Sequence, residues 1–513
     1  MKRMKKIMAV LLAAIMTMAM AVTAFAVEGA TKGTLTVNVK NGQTLANQTV
    51  NIYKLFDMTV SGTNYGYKVN SMYTPILDQV LADDITDKTD QGYYDAVKKA
   101  TDTVDGTNTQ KFANDFTKEL LKYNKEHSGQ TIEATSTKSF GKDATDTTFS
   151  VEGLDFGYYL VCQTGTKEIQ SSLVPVVGET ATVNLKTQAP DITKTADNDA
   201  TTVHVGQTVT YTITGQVPDM TGYSNYVYKI HDTLTNGLDF VTNEAGNVVV
   251  TVKIGEITYN DVVGTISEGN TRNMTIDLSE KVKTAVTGAK IEVTYQAKVN
   301  KNAVVETKNS ATLEYSNNPG TDATGTTKPS EVVTPTYPLD VKKTDPKDTM
   351  LAGAHFKLYA STTEGSIDKD KVIKVTKDVE NTDGKYTYAA NQSAAGAIDE
   401  MVTVANPIDG QGYNLHINGL AAGIYYLEET QAPDGYNKLS DPIKVTITKD
   451  GDTNWTVKKN DVAEEDKIID IENSTGSILP STGGMGTIIF AVIAAILVLG
   501  VAVSFIRDKR KNA

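Results

Sequence analysis

A chain of 513 residues with one cysteine, Cys162, cannot close an intramolecular disulfide, so any covalent staple in it must come from other chemistry. Five histidines beside that cysteine leave little material for a transition-metal site. The fragments Asp197/Asp199 and Asp450/Asp452 lack the rest of a calcium loop and read as solvated turns. Basic residues are outnumbered too: 49 Lys and Arg against 62 Asp and Glu leave a net charge of −13, which argues against nucleic acid or an anionic membrane surface as partner. No Ser/His/Asp set, phosphate loop or metal cluster marks an enzyme, and no cofactor is expected. Cys162 ends the apolar run 157–162 and reads as a buried structural thiol rather than a reactive one.

Long apolar runs stand at the two ends. Lys2, Arg3, Lys5 and Lys6 precede the run 7–22 and then Ala24, Phe25 and Ala26, the pattern of a signal peptide over 1–26 cleaved after Ala26. Near the other end Leu479, Pro480, Ser481, Thr482 and Gly483 precede an uncharged run, 488–506, and the basic tail 507–513. At ~1.5 Å per residue a helix over 487–506 is about long enough to cross a ~30 Å hydrocarbon core. The tail's positive charge leaves it in the cytoplasm and puts the preceding residues outside. Motif, helix and tail in this order resemble the sorting signal, 477–513, of Gram-positive surface proteins that sortases attach covalently. A plain single-pass anchor is the alternative.

Between the ends, about 450 residues suggest three domains, expected at 27–189, 190–330 and 331–476. Alternation at Leu35, Val37 and Val39, and at Val50 and Ile52, predicts half-buried strands. Met72, Ile76, Leu77, Val80 and Leu81 share a helical face, as do Phe112, Phe116, Leu120 and Tyr123, so the first domain is a β-scaffold with inserted helices. In the second, β-branched runs at 203–205, 208–217, 227–232, 248–254, 291–299 and 311–315 are separated by Gly, Asn and Asp turns. Residues 317–335, rich in Thr, Gly and Pro, read as a linker or an extended lead-in strand. The third domain has strands at 339–343, 355–359, 413–417, 424–429, 443–447 and 468–471. The class is mainly β: tandem immunoglobulin-like β-sandwiches.

An internal repeat relates the first domain to the third. Leu154, Gly157, Tyr159 and Thr164 match Leu420, Gly423, Tyr425 and Thr430 at equal spacings, and Leu45-Ala46 with Tyr53 match Leu351-Ala352 with Tyr359. In the third domain, period two puts Lys343 on one face with Leu339 and Val341, Glu429 with Leu427, and Asn473 with Ile469 and Ile471. An amine, a carboxyl and a carboxamide are thus aimed at the core. A buried Lys–Glu ion pair beside a capping Asn is one reading.

The same three residues resemble the Lys, Glu and Asn of Cna-B-type domains, in which Lys and Asn condense into an isopeptide bond. The resemblance implies a Lys343–Asn473 bond with Glu429 as catalyst. Burial favours the chemistry, because it stabilises the neutral, nucleophilic amine and the protonated carboxyl. Lys194, Asp232 and Asn309 resemble the corresponding set in the second domain of Gram-positive backbone pilins, where an Asp replaces the Glu; the resemblance implies a Lys194–Asn309 bond with Asp232 as catalyst. Solvated strand residues are the alternative there.

The first domain breaks the pattern. Gln163 stands at the position of Glu429, and the place of Lys343 falls on Val37 or Val39, so no isopeptide bond is expected in that domain, which should be the least stable of the three. Lys186 ends the run 181–186 before Thr187, Gln188, Ala189 and Pro190, the junction at which backbone pilins carry the lysine that receives the next subunit. Asn184 and Leu185 replace the usual Val-Tyr-Pro context, and Lys167 is the second candidate. The resemblance implies a structural pilus subunit whose Leu479, Pro480, Thr482 and Gly483 are read by sortase. The implied partners are sortase, further copies of the chain, peptidoglycan, minor pilins and a host or surface ligand. A monomeric wall-anchored adhesin is the alternative.

Overall fold

The computed structural model describes residues 31–40, 42–61, 64–101, 107–185, 189–197 and 203–476. The expected signal peptide, the sorting signal from Leu479 onward and Lys186 lie outside them. Among the described residues no helix is long and apolar enough to cross a membrane. The chain divides into two compact units, Met1–Pro335 and Thr336–Ala513.

In the second unit, alternating residues build two sheets. Five strands run in the order Val375–Lys377, Lys385–Tyr388, Leu415–Leu420, Tyr337–Thr344, Ile468–Glu472, and the other sheet is centred on His355–Ser361, Gly423–Gln431 and Ile443–Asp450. The unit's first strand, Tyr337–Thr344, is antiparallel to Leu415–Leu420 and parallel to its last, Ile468–Glu472. Leu339, Val341, Leu427, Ile469 and Ile471 fill the space between the sheets. Period two brings Lys343, Glu429 and Asn473 into that same interior, where each is at most 2% exposed. Strands Ile367–Ile373, Lys385–Tyr388 and Asn454–Lys459 were not expected, since lysine, threonine and aspartate dominate them.

Residues 32–185 repeat this plan. Lys32–Val39 is antiparallel to Thr148–Asp155 and parallel to Thr180–Leu185, facing a sheet ordered Asn64–Val69, Thr49–Ser61, Gly157–Thr164, Gln170–Val176. The inner core holds Leu35, Val37, Ile52, Tyr159, Val161 and Val183. On the outer face Leu55, Leu160 and Cys162 meet Ile76, Phe112 and Phe116 of the inserted helices Thr74–Val80 and Thr107–Glu126. Gly157–Thr164 is therefore covered on both faces, which explains its unbroken apolar run. Burial pushes the Cys162 thiol up to about 12, the state of an unreactive structural cysteine. A third helix, Asp90–Thr101, had not been expected; it buries Tyr93, Ala96 and Val97. Met72 leaves the expected helical face and is 52% exposed, because it sits in the 3-10 turn Ser71–Tyr73 that precedes the helix.

The repeat has a conformational basis. Tyr159 donates its hydroxyl to the Asp155 carbonyl (2.5 Å), and Tyr425 donates to that of Ala421 (2.8 Å), so each ring ties down the turn leading into its strand. Gly153 and Gly419, one residue before the repeated leucines, have φ of +69° and +83°, a region that side chains disfavour.

Residues 193–333 form a sandwich. One sheet runs Ile257–Tyr259, Thr251–Ile254, Lys290–Val299, Thr208–Gln216, Thr193–Ala196; the other joins Asn270–Asp277, Tyr228–Leu234 and Lys308–Ser316. The expected strand 248–254 is two: Val248–Val249 pairs in one sheet and Thr251–Ile254 in the other, the chain changing sheets at Val250. Residues 203–205 form no strand; Val203 and Val205 are buried in a turn. Within 317–335, Thr324–Thr326 and Ser330–Val333 both pair with Lys308–Ser316, so this segment extends the sheet through backbone bonds that need no apolar period.

Candidate functional site

Two buried clusters each gather one lysine, one carboxyl and one carboxamide. In the second unit, Lys343 lies opposite Ile471 in the parallel pair, and its Nζ donates to the Ile471 carbonyl at 3.3 Å. Asn473, two residues on, is anchored by its N–H on the Thr344 carbonyl (3.0 Å) and donates Nδ2 to Glu429 Oε2 (3.0 Å) and to the Asn437 carbonyl (2.6 Å). Glu429 comes from the facing sheet, and its Oε2 also accepts from the Leu439 N–H at 2.7 Å. Glu429 Oε1 and Asn473 Oδ1 are buried acceptors without a donor. Burial pushes the Lys343 amine down to about 8, with the Glu429 and Glu472 carboxylates opposing the shift. A minor but reactive fraction of neutral amine therefore exists near neutral pH, beside a carboxamide whose nitrogen touches the Glu429 carboxyl group.

Sequence reasoning missed Asn414. It is fully buried; its Oδ1 accepts from the Lys343 N–H (2.7 Å), and its Nδ2 donates to the carbonyls of Val404 (2.8 Å) and Leu351 (3.0 Å). It pins the backbone of the lysine. A polar residue just before the alternating strand Leu415–Leu420 was the available signal.

The second cluster spans the sandwich of residues 193–333. Lys194 lies opposite Ile213 at the edge of one sheet; Asp232 and Asn309 project inward from adjacent strands of the other. Lys194 Nζ donates to Asp232 Oδ2 and to the Tyr295 hydroxyl. That hydroxyl donates to Asp232 Oδ2 (2.5 Å) and accepts from Asn309 Nδ2 (2.8 Å). Asp232 Oδ1 and Asn309 Oδ1 are buried without a donor. Burial pushes Lys194 down and Asp232 up, both toward the neutral form, against their mutual attraction. Tyr295 was also missed. The signal was a hydroxyl in the inward register Ile291, Val293, Tyr295, Ala297.

At the corresponding place in residues 32–185, Gln163 lies opposite Val50 as Glu429 lies opposite Phe356, and Gln163 Nε2 donates to Gln48 Oε1. Both amides are buried, and Val37 and Val39 occupy the lysine's positions. Position 187, which the parallel register would align with Asn473 if Val39 replaces Lys343, is outside the described residues. Of the two candidate acceptor lysines, Lys167 is paired with Asp191 at 2.6 Å, and its side chain is 24% exposed. Asp450 and Asp452 flank a turn at Gly451, φ +77°, and both are exposed. Among the described residues no group of His, Cys, Asp and Glu is assembled to hold a metal.

Residues 337–461 match the family described as SpaA, prealbumin-like fold domain. A fimbrial subunit type 1 of Actinomyces viscosus is 29% identical over 211 residues, which are 38% of this chain and 36% of that protein. The match thus spans about a third of the length of this curated relative. Two solved structures are similar over most of the chain: the T6 backbone pilin of serotype M6 Streptococcus pyogenes (15% identical, TM-score 0.45, 87% of this chain and 99% of that one) and the major pilin SpaD of Corynebacterium diphtheriae (19%, 0.44, 87% and 98%).

Proposed function

We propose that this chain is the major, backbone subunit of a covalently polymerised pilus on a Gram-positive cell surface, stabilised by internal Lys343–Asn473 and Lys194–Asn309 isopeptide bonds. The observation that carries the reading is the meeting of Lys343, Glu429 and Asn473 in one dry interior. A neutral Lys343 attacks the Asn473 carbonyl carbon; the Nζ–Cγ bond forms, the Cγ–Nδ2 bond breaks, and ammonia leaves. Glu429, already in contact with Nδ2, moves the proton from the attacking to the departing nitrogen. Lys343 is on the unit's first strand and Asn473 just past its last, so tension between them bypasses the rest of the domain. That is the requirement on a stalk pulled from both ends.

Polymerisation follows from the two features outside the described residues. A sortase thiol reads Leu479 and Pro480, attacks the Thr482 carbonyl, releases Gly483 and all that follows, and passes the acyl group to Lys186 of another copy. Head-to-tail repetition of one heterologous contact gives an open filament. Its base joins peptidoglycan, and minor pilins or a surface ligand complete its partners.

Intact mass of the chain without its signal peptide and sorting signal tests the internal bonds, because each condensation removes one ammonia, about 17 Da. Two losses are expected, and the unmodified mass would sink the proposal. Replacing Lys186 with Ala should abolish the high-molecular-weight ladder on denaturing gels; a persisting ladder would point to another acceptor lysine.

A further inference from the structure

The two clusters differ in how the carboxyl reaches the carboxamide. Glu429 Oε2 accepts directly from Asn473 Nδ2 at 3.0 Å. Asp232 is one methylene shorter, and its link to Asn309 runs through Tyr295: the hydroxyl donates to Asp232 Oδ2 at 2.5 Å and accepts from Asn309 Nδ2 at 2.8 Å. The same oxygen accepts from Lys194 Nζ, so it touches both the nitrogen that must lose a proton and the nitrogen that must gain one. Asp232, Tyr295 and Asn309 are each at most 2% exposed, and Lys194 is 4%, so bulk water is a poor carrier for that proton.

We propose that Tyr295 is a catalytic residue of the Lys194–Asn309 condensation, its hydroxyl extending the short carboxyl of Asp232 to the leaving nitrogen. This rests on the reading that Lys194 and Asn309 condense. In the neutral pair, Nζ attacks Cγ, the carbonyl oxygen takes up the displaced electron pair, and the attacking nitrogen passes one proton to Asp232 Oδ2 as Asp232 releases its own toward Tyr295. Tyr295 turns its O–H onto Nδ2 and gives up its proton, recovering one from Asp232. The electron pair on the oxygen re-forms the carbonyl, the Cγ–Nδ2 bond breaks, and ammonia departs. One proton has moved from Nζ to Nδ2, and Asp232 and Tyr295 end as they began.

The test follows cross-linking over time after cell-free synthesis of the full chain, with peptide mass mapping at both Lys–Asn pairs. Tyr295→Phe keeps the ring and removes the relay; it is expected to slow the Lys194–Asn309 bond about 100-fold, the usual scale of general acid–base catalysis, while Lys343–Asn473 forms at the parental rate. Adding Asp232→Glu to Tyr295→Phe supplies a carboxyl of Glu429's length and is expected to restore the bond. A Tyr295→Phe chain that cross-links as fast as the parent overturns the relay. So does a loss that Asp232→Glu fails to restore, since that outcome assigns Tyr295 a packing role. A parent chain with no Lys194–Asn309 bond overturns the underlying reading as well, and is told apart by the parent measurement alone.

Discussion

Lys343 Nζ donates to the carbonyl oxygen of Ile471, the residue directly opposite it in the parallel strand pair, and this places the amine two residues short of Asn473. A parallel pair between the first and last strands is what lets a side chain leaving one terminus of the unit meet a side chain at the other. An antiparallel pair would have run Asn473 away toward the far end of the strand.

Removing the proposed Lys343–Asn473 bond should cost stability in proportion to the loop it would close. Closing about 130 residues stabilises by about 5 kcal/mol in the loop-entropy account. Asn473→Ala should therefore raise the mass by one retained ammonia, corrected for the substitution, and lower the melting temperature of the second unit by about 15 °C. Calorimetry beside intact mass checks both; a retained melting temperature would show that the bond carries no load.

The chain with Asn473→Ala also keeps a free Lys343 amine, whose folded value of about 8 lies below the ordinary 10.5. Between those limits the unfolded chain binds more protons than the folded one, so stability should rise with pH from about 8 to about 10.5 and be flat below. The urea midpoint at a series of pH values measures this. Adding Lys343→Met should remove the rise.

In residues 32–185 the buried Gln163–Gln48 pair stands in for a cross-link. Gln163→Ala should leave the mass otherwise unchanged and destabilise by about 1–3 kcal/mol, because the buried Gln48 Oε1 loses its donor while Gln48 Nε2 keeps its bond to the Thr44 carbonyl. With no internal bond expected there, limited proteolysis should cut within this segment before the others.

The repeated turn can be tested at two points. Tyr159→Phe and Tyr425→Phe should each cost about 1 kcal/mol through the lost bond to the Asp155 or Ala421 carbonyl. Gly157→Ala should cost more, since a Cβ there would strike the Phe56 carbonyl and lie 2.7 Å from Lys54 Cε. Denaturant midpoints of the three variants rank these effects.

Much of the cluster in the second unit was legible because alternation is local. Leu339, Val341 and Lys343 share a face whatever the strand pairs with, and the same holds for Leu427 with Glu429 and for Ile471 with Asn473. The helix faces at 76–81 and 112–120 were legible for a similar reason, at period 3.6. Asp90–Thr101 carries the same period, with Tyr93, Ala96, Val97 and Ala100 on one face, and was overlooked because small alanines and tyrosines make a weak apolar stripe; it packs against both the sheet and the helix Thr107–Glu126. The split of 248–254 between two sheets was hidden as well, since an uninterrupted β-branched run carries no mark of where it changes partner.

By itself, then, the sequence determined which side chains face inward along each strand, that one cysteine leaves no disulfide, and that the first and third segments repeat one plan; all of these depend on neighbours a few positions away or on simple counts. Which inward groups meet was decided by the tertiary structure. Tyr295 reaches Asp232 and Asn309, Asn414 reaches Lys343, and Gln163 reaches Gln48 only because strands distant in sequence pair in one register and sheets face each other across one interior. A shift of one residue in that register would turn each of these side chains to the opposite face.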